Sequence, residues 1–413
     1  MLRRLGLLLL CLVTCSAPLS AAGKPPPGHY LFVWTGDQDK KGNDFLAVFD
    51  GDPRSPGYGK LLTTLATDQV SVRIHHTEYV MPESGMLFAN DHDANRTFIF
   101  NLKDPLHPQV ATSFTDLAGF AKPHSFLRLP NGHVLASFQH VAGAEHHPGM
   151  AMAEGSGPMG IGGGGLVEID DAGKLVRAAG NVDPAFPNAL MMPYSLAVLP
   201  EIDRVLSTNS SMHDEDIAGT TVQLWRLSDL KLLETAYLDI GAERFAHLNP
   251  EEARVGPDGA VYVQTLSCGI ERVTGLADGK LESKLVHVFP GTYCGVPTIV
   301  GHYLVQSVPA LHGYVVLDIA DGARPREVSR LTISDAYAPH WTAWDPTSRR
   351  LVVTSGQSGD RMYLLKLDET SGALTIDEAF RGEDGKPGFS FASRAWPHGW
   401  TGEGKPHGAV FSR

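Results

Sequence analysis

Short apolar runs that end in a small or polar residue recur along the chain and predict β-strands. Seven such runs are present, at 31–35, 87–90, 134–138, 205–209, 261–265, 303–307 and 351–355. Each is followed by a second run in which apolar and polar residues mostly alternate, as in a half-buried strand. Turn-forming residues often precede the first run, as in Pro130-Asn131-Gly132. The pattern therefore predicts a β unit that is repeated seven times.

The length of the repeat distinguishes among the all-β architectures. The first strands of successive units lie 42 to 71 residues apart. Repeats of this length, with several short strands in each, are typical of β-propellers. A pair of β-sandwiches lacks such a period, and a β-helix has much shorter repeats. We therefore predict an all-β protein, a seven-bladed β-propeller with about four strands in each blade.

The first 22 residues have the features of a signal peptide. Arg3 and Arg4 precede an apolar segment at 5–13, and Ser20-Ala21-Ala22 provides small residues at a cleavage site. The apolar segment is too short to span a bilayer. We predict cleavage after Ala22, a periplasmic or secreted location, and one propeller domain at 23–413 with no transmembrane anchor.

Cleavage at that point leaves two cysteines, Cys268 and Cys294. In an oxidising compartment they can form one disulfide. Alternatively, both are small buried apolar residues. The sequence does not decide between these alternatives, and it does not indicate the oligomeric state.

One Gly-rich segment, 142–165, interrupts the third unit and is predicted to be a flexible insertion. It contains imidazole and thioether groups, which copper accepts as ligands. These groups belong to His146, His147, Met150, Met152 and Met159. The segment is either a plain flexible loop or a loop that captures metal.

The formal net charge of −12 argues against a nucleic-acid partner, which requires a basic surface. It does not oppose a small neutral or cationic ligand.

Histidines supply the strongest indication of chemistry. His75 and His76 are adjacent in the strand-like segment 71–80, and His124 precedes another strand-like run. Imidazole is the commonest protein ligand for transition metals. Taken singly, each is better explained as a structural histidine, and the adjacent pair is what favours a metal site. Adjacent residues on a regular strand point to opposite faces, so a metal shared by His75 and His76 requires an irregular backbone.

Several segments, taken in order, resemble the selenium-binding protein family, which includes methanethiol oxidases. They span most of the chain after residue 42, and they are 43–62, 72–79, 104–110, 121–137, 221–239, 249–265 and 312–328. The resemblance implies a seven-bladed propeller with copper bound by histidines near its axis. By motif, it assigns His75, His76 and His124 as ligands. The fourth is His407, with His398 as a weaker candidate.

The chain also departs from the family. Gly59 in SPGYGK occupies the place of the family's selenium-associated cysteine. This argues against selenium binding through a thiol and indicates a divergent, exported branch. The sequence around Asp91-His92-Asp93 makes His92 a further weak candidate for metal binding.

By resemblance, the expected function is copper-dependent oxidation of a small sulfur compound. A thiol, O₂ and water would yield an aldehyde, sulfide and peroxide. Zinc is the alternative metal. Glu252 and His340 are candidate catalytic residues, the former as a base. The alternatives are a non-catalytic copper- or selenium-binding or interaction propeller and, third, a lactonase-like hydrolase.

Overall fold

The computed structural model describes residues 28–71, 73–143, 161–211, 218–242, 245–357 and 359–413. The predicted signal peptide lies outside these ranges, as does most of the predicted insertion, including His146 and His147. Within them, nearly all regular structure is β-strand, with two short 3₁₀ helices at Pro200–Ile202 and Pro309–Leu311. No helix in the described ranges is long and apolar enough to cross a membrane.

Seven four-stranded antiparallel sheets form the blades, which confirms the predicted fold. Blade 1 contains β1 (Tyr30–Asp37), β2 (Phe45–Asp50), β3 (Leu61–Ala66) and β33 (Gly404–Phe411). Blade 2 contains β4 (Ile74–Thr77), β5 (Met86–Asp91), β6 (Arg96–Asn101) and β7 (Gln109–Phe114). Blade 3 contains β8 (Phe120–Arg128), β9 (Val134–Val141), β11 (Gly165–Ile169) and β12 (Leu175–Gly180).

The other blades follow in chain order. Blade 4 contains β14 (Pro193–Leu199), β15 (Arg204–Asn209), β16 (Thr221–Arg226) and β17 (Lys231–Tyr237). Blade 5 contains β18 (Pro250–Val255), β19 (Val261–Thr265), β20 (Gly269–Thr274) and β21 (Glu282–Val288). Blade 6 contains β22 (Thr298–Val300), β23 (Tyr303–Val308), β24 (Gly313–Asp318) and β25 (Arg326–Thr332). Blade 7 contains β26 (Trp341–Asp345), β27 (Arg350–Thr354), β28 (Arg361–Leu367) and β29 (Leu374–Ile376).

Five strands of two residues each lie outside the seven blades described above or at their edge. β10 (Ile161–Gly162) pairs with β13 (Leu190–Met191), and β31 (Arg394–Ala395) pairs with β32 (Thr401–Gly402). β30 (Phe389–Ser390) pairs with β28 of blade 7. Residues 161–165, at the end of the predicted insertion, therefore form β10 and the start of β11.

The innermost strand of each blade surrounds the propeller axis. The innermost strands of successive blades contact one another around the ring. In order, they are β33, β4, β8, β14, β18, β22 and β26. The seven apolar runs found in the sequence are the second strands of the blades, and the alternating runs are the third strands.

The first and last strands close the ring. β1 pairs with β33 in an antiparallel register that places Leu31 opposite Phe411. Beyond the last strand, the Ser412 amide donates to the Tyr30 carbonyl at 2.7 Å. Strands from the two ends of the described chain thus form one blade.

Apolar side chains fill the spaces between adjacent blades. Trp34 and Leu46 of blade 1, for example, pack in one fully buried cluster with Leu87 and Phe98 of blade 2. Each such side chain stabilises the fold by about 1.5–3 kcal/mol relative to an exposed one. This packing holds the inner strands in fixed positions around the axis.

Two local features are not determined by the sequence pattern. Pro250–Val255 forms the innermost strand of blade 5. Cys268 and Cys294 form a disulfide. It ties the turn between β19 and β20 to the connection that leads into blade 6.

Candidate metal centre

A β-bulge in β4 brings the side chains of His75 and His76 together. Ile74 lies opposite Asp91 and Thr77 opposite Ala89, so three steps along β4 match two along β5. The extra residue removes the strict alternation of side chains. The two imidazole rings stack with centroids 4.0 Å apart. The irregular backbone that a shared metal requires is therefore present.

The same irregularity recurs in four other inner strands. In each, the register with the second strand shifts by one residue, and two consecutive residues occupy the bulge. These pairs are His124-Ser125, Tyr194-Ser195, Glu251-Glu252 and His407-Gly408. The bulges place a ring of polar residues around the axis.

Polar side chains of the second strands hold these bulges in place. Asn90 accepts a hydrogen bond from the His76 amide at 2.6 Å and donates to the Pro123 carbonyl of blade 3 at 2.6 Å. Ser137 likewise accepts from the Ser125 amide and donates to the Tyr194 carbonyl of blade 4. We call such a residue a clip, because it joins its own blade to the bulged inner strand of the next blade.

The remaining clips extend this pattern around the axis. Thr208 accepts from the Ser195 amide at 3.0 Å and donates to the Glu251 carbonyl at 2.6 Å. Thr354 of blade 7 donates to the His407 carbonyl at 2.7 Å. These are the polar residues at which the apolar runs end. The sequence signal that marked strand ends therefore also marks the residues that support the site.

Four predicted ligands meet at the centre of this ring. The ring centroid of His75 lies 4.7 Å from that of His124 and 4.4 Å from that of His407. One nitrogen from each of His75, His76 and His407 lies within 4.8 Å of the other two, and all three residues are buried. The His75 and His124 Nε2 atoms are 2.9 Å apart. The structure thus brings together His75, His76, His124 and His407, and their role as ligands stays a prediction.

A backbone carbonyl fixes the orientation of His124. Its Nδ1 lies 2.9 Å from the Tyr194 carbonyl oxygen, which can only accept a hydrogen bond. Nδ1 therefore carries the proton, and the Nε2 lone pair points toward His75. Metal-binding histidines are commonly oriented in this way.

Several nitrogens of the cluster have no hydrogen-bond partner among the described residues. They are both ring nitrogens of His76 and Nδ1 of His407. An unsatisfied buried polar group costs about 1–3 kcal/mol. A bound cation would satisfy these atoms, so the donor set fits a metal.

Burial keeps these imidazoles neutral. Burial, and then the neighbouring imidazoles, hold the pKa values of His75, His76 and His407 well below the ordinary value of 6.5. Neutral imidazole is the form that binds a metal.

Of the other predicted histidines, two lie beside the cluster and one lies outside it. The ring of His340 lies 4.5 Å from that of His407, and burial lowers the pKa of His340 to about 4. His92 lies beside the cluster, with Nε2 2.7 Å from Gln139 Oε1. His398 instead contacts Thr64 on the outer strand of blade 1. The structure therefore favours His407 over His398.

Glu252 is buried behind His76. Its Oε1 lies 3.7 Å from His76 Nε2. Its Oε2 accepts hydrogen bonds from Tyr79 at 2.7 Å, Arg254 at 2.9 Å and Ser195 at 3.1 Å. Sequence reasoning missed these three partners, since they are single residues from separate strands with no motif of their own.

A cavity of about 350 Å³ opens next to the cluster. His75, His340 and His407 contribute to its wall, together with Tyr194 and Glu251. Small-molecule sites of about 300–1,000 Å³ are common in proteins. A small molecule in this cavity would contact three imidazoles directly.

Backbone geometry excludes a side chain at Gly59. Its φ is +89°, and a Cβ there would lie 2.5 Å from the Arg381 carbonyl oxygen. A cysteine at this position would require the backbone to move. The local backbone therefore requires glycine at position 59, which agrees with the absence of the family's cysteine there.

A known enzyme is similar in sequence to part of this chain. Methanethiol oxidase from Hyphomicrobium sp is 31% identical over 155 residues, which are 35% of this chain and 34% of that protein. The similarity thus extends over about a third of that relative's length. This similarity relates part of the chain to a methanethiol oxidase. No family model matches the sequence.

Solved structures of other proteins share the fold of this chain. A hypothetical selenium-binding protein from Sulfolobus tokodaii superposes with a TM-score of 0.69 at 16% identity, with 94% of each chain covered. A putative 6-phosphogluconolactonase from Bacteroides fragilis gives a TM-score of 0.61 at 12% identity, covering 95% of this chain and 99% of that one. At these identities the likeness concerns the fold alone, and propellers serve many chemistries.

Proposed function

We propose that the protein is a copper-dependent oxidase of a small thiol. The observation that carries the proposal is the set of four buried imidazoles beside a cavity of about 350 Å³. The similarity to methanethiol oxidase from Hyphomicrobium sp supports the reaction class. In the proposed reaction, thiol, O₂ and water give aldehyde, sulfide and hydrogen peroxide, so that carbon is oxidised and O₂ is reduced.

The donor set fits copper, with zinc as the competitor. An all-nitrogen set suits Cu(II). His75, His76, His124 and His407 would hold the ion. Bound copper would supply one-electron redox chemistry, which zinc lacks.

Residues around the histidines have separate proposed roles. His340 lines the cavity, so it is the candidate base that can meet the thiol proton of a substrate. Glu252 lies on the side of His76, where its carboxylate would orient the imidazole and balance the charge of a metal. Tyr79, Arg254 and Ser195 fix the position of that carboxylate.

Metal analysis and O₂ uptake test the proposal together. We expect about one copper per chain in protein free of added tag histidines, and O₂ consumption with methanethiol that yields peroxide and sulfide. His124→Ala should lose copper and O₂ uptake. The matched control, His398→Ala, should keep both, because His398 lies outside the cluster.

Other outcomes would contradict specific parts of the proposal. Bound zinc without redox activity would exclude the oxidase. Copper that is retained without O₂ uptake on any thiol would favour a non-catalytic copper-binding propeller. Copper retained in His124→Ala would place the metal elsewhere. A location outside the cytoplasm is part of the proposal and is supported by the Cys268–Cys294 disulfide.

A further inference from the structure

A lysine on the wall of the cavity has no anionic partner. Lys405 lines the cavity on β33, the strand that also carries His407. Its side chain is half-buried, and no hydrogen bond or ion pair to it is present among the described residues. Partly buried ammonium groups are usually paired, because removal from water is costly.

Among the charges near the cavity, Arg73 repels the Lys405 ammonium, and Asp93 attracts it without forming an ion pair with it. Arg73 lines the same cavity and forms an ion pair with Asp93 at 3.4 Å. Glu251 also lines it, but burial, and then the neighbouring charge of Glu252, raise the pKa of Glu251 well above its ordinary value. Burial thus disfavours the charged form of the Glu251 carboxyl group. Lys405 and Arg73 place two basic side chains on the cavity wall, although the whole chain has a net charge of −12.

Lys405 and His407 face the same cavity, since both residues line its wall. A short molecule can therefore place one end near His407 and the other near the Lys405 ammonium. The cavity volume of about 350 Å³ accommodates such a molecule.

We propose that the cavity selects a small sulfur compound that carries a carboxylate, with the sulfur at the imidazoles and the carboxylate on Lys405. This inference rests on the proposed function for the reaction, but its binding step does not depend on it. A carboxylate on an ammonium forms a charge-assisted hydrogen bond, which is stronger than a neutral one. The preferred substrate class is thus a short mercapto acid, and not a plain alkyl thiol.

Binding to the metal-free protein tests the inference without any turnover. The probes are thioethers, because they cannot reduce the Cys268–Cys294 disulfide: 3-(methylthio)propionate, methyl propyl sulfide and 3-(methylthio)propylamine. Calorimetry with the full chain should give a dissociation constant for the carboxylate at least about tenfold below that of the neutral probe. The amine should bind more weakly than either.

Substitution of the lysine should remove this preference. Lys405→Met should weaken binding of the carboxylate about tenfold and leave the neutral probe unchanged. Lys405→Arg should restore much of the preference. Lys231→Met, on the exposed outer strand of blade 4, is the matched control and should change neither.

The possible results of these experiments distinguish the anion subsite from the proposed oxidase activity. Equal affinity for the carboxylate and the neutral probe, or a preference that survives in Lys405→Met, would overturn the anion subsite. A preference for the carboxylate without O₂ uptake on 3-mercaptopropionate would sustain the subsite and contradict the oxidase. Faster O₂ uptake on 3-mercaptopropionate than on 1-propanethiol, lost in Lys405→Met, would support both.

Discussion

At the scale of single residues, hydroxyl and amide groups away from the histidines determine where the histidines lie. Asn90 and Ser137 each hold a bulge and reach the next blade. Gly408 adds a steric condition, because a Cβ there would lie 2.7 Å from the Thr77 amide nitrogen. The imidazoles converge because backbone groups beside them are fixed in this way.

Thr354→Val tests the clip next to His407. The valine keeps the shape of the side chain but leaves the His407 carbonyl without the partner that it has at 2.7 Å. We expect a loss of about 1–2 kcal/mol in the free energy of unfolding and copper retention that is weaker by about tenfold. Denaturant unfolding and competition with a copper chelator measure the two effects. Thr375→Val, on an exposed position of β29, is the control, and equal copper affinity in both variants would refute the role of the clip.

At the scale of strands, the sequence predicts some elements well and others poorly. The second and third strands of the blades are apolar and long, as in Leu87–Phe88 and Phe98–Phe100, so their pattern is visible. The inner strands that carry the histidines contain polar residues and are bulged. β4 has only four residues, and a bulge disrupts its period of two. Periodicity therefore does not reveal the bulge in β4, although the histidine doublet is visible in the sequence, and the resemblance supplied the assignment of the ligands.

Contacts between strands of different blades determine the rest of the site and cannot be read from local patterns. Tyr79, Ser195 and Arg254 come from three segments that meet only when the ring is closed. Lys405 is one of many lysines in the sequence. Its position beside the imidazoles follows from the register of β33 on β1.

A buried carboxylate that joins blade 7 to blade 1 should make stability depend on pH. Asp377 accepts from Arg350 at 2.5 Å and from Tyr58 of blade 1 at 3.0 Å, and Lys366 lies 3.1 Å away. Burial would raise the pKa of Asp377, but Arg350 and Lys366 outweigh it and hold that pKa below 3.8. The carboxylate therefore stabilises the folded state above about pH 4, and this contribution is lost as the pH falls through the depressed folded pKa.

Asp377→Asn should remove that contribution. We expect a loss of about 3 kcal/mol in the free energy of unfolding at pH 7, because two cations lose their buried partner. The difference from the wild type should narrow below pH 4. Urea unfolding as a function of pH measures both. The control is Asp384→Asn, which breaks a surface pair with Arg361 and should cost less than about 1 kcal/mol. If the free energies of unfolding of Asp377→Asn and the wild type differ more in acid than at pH 7, the assignment is contradicted.

At the scale of the whole molecule, the propeller is a ring that is closed by one contact between distant parts of the sequence. β1 and β33 are antiparallel neighbours, so a short linker from Arg413 to Gly28 would make them a hairpin. Contacts between distant residues form slowly, because loop closure has an entropic cost.

A circular permutant should change the kinetics of closure and leave the fold intact. With new ends between Asp68 and Gln69 and a Gly/Ser linker from Arg413 to Gly28, blade 1 becomes continuous in sequence. We expect refolding several times faster than in the wild type, with the same copper content. A second permutant, opened between Ser228 and Asp229 in the exposed turn before β17, divides blade 4 and should refold at about the wild-type rate. Identical rates in both permutants would show that closure does not limit folding.

The position of His407 on the closing strand also determines when a site can exist. During synthesis, His75, His76 and His124 emerge early, whereas His407 emerges only with the last blade-forming residues. A chain that stops before residue 404 would hold three of the four imidazoles and lack the fourth. If the cluster binds copper, a fully ligated ion therefore requires that β33 has closed the ring, and a chain that lacks β33 would not retain one.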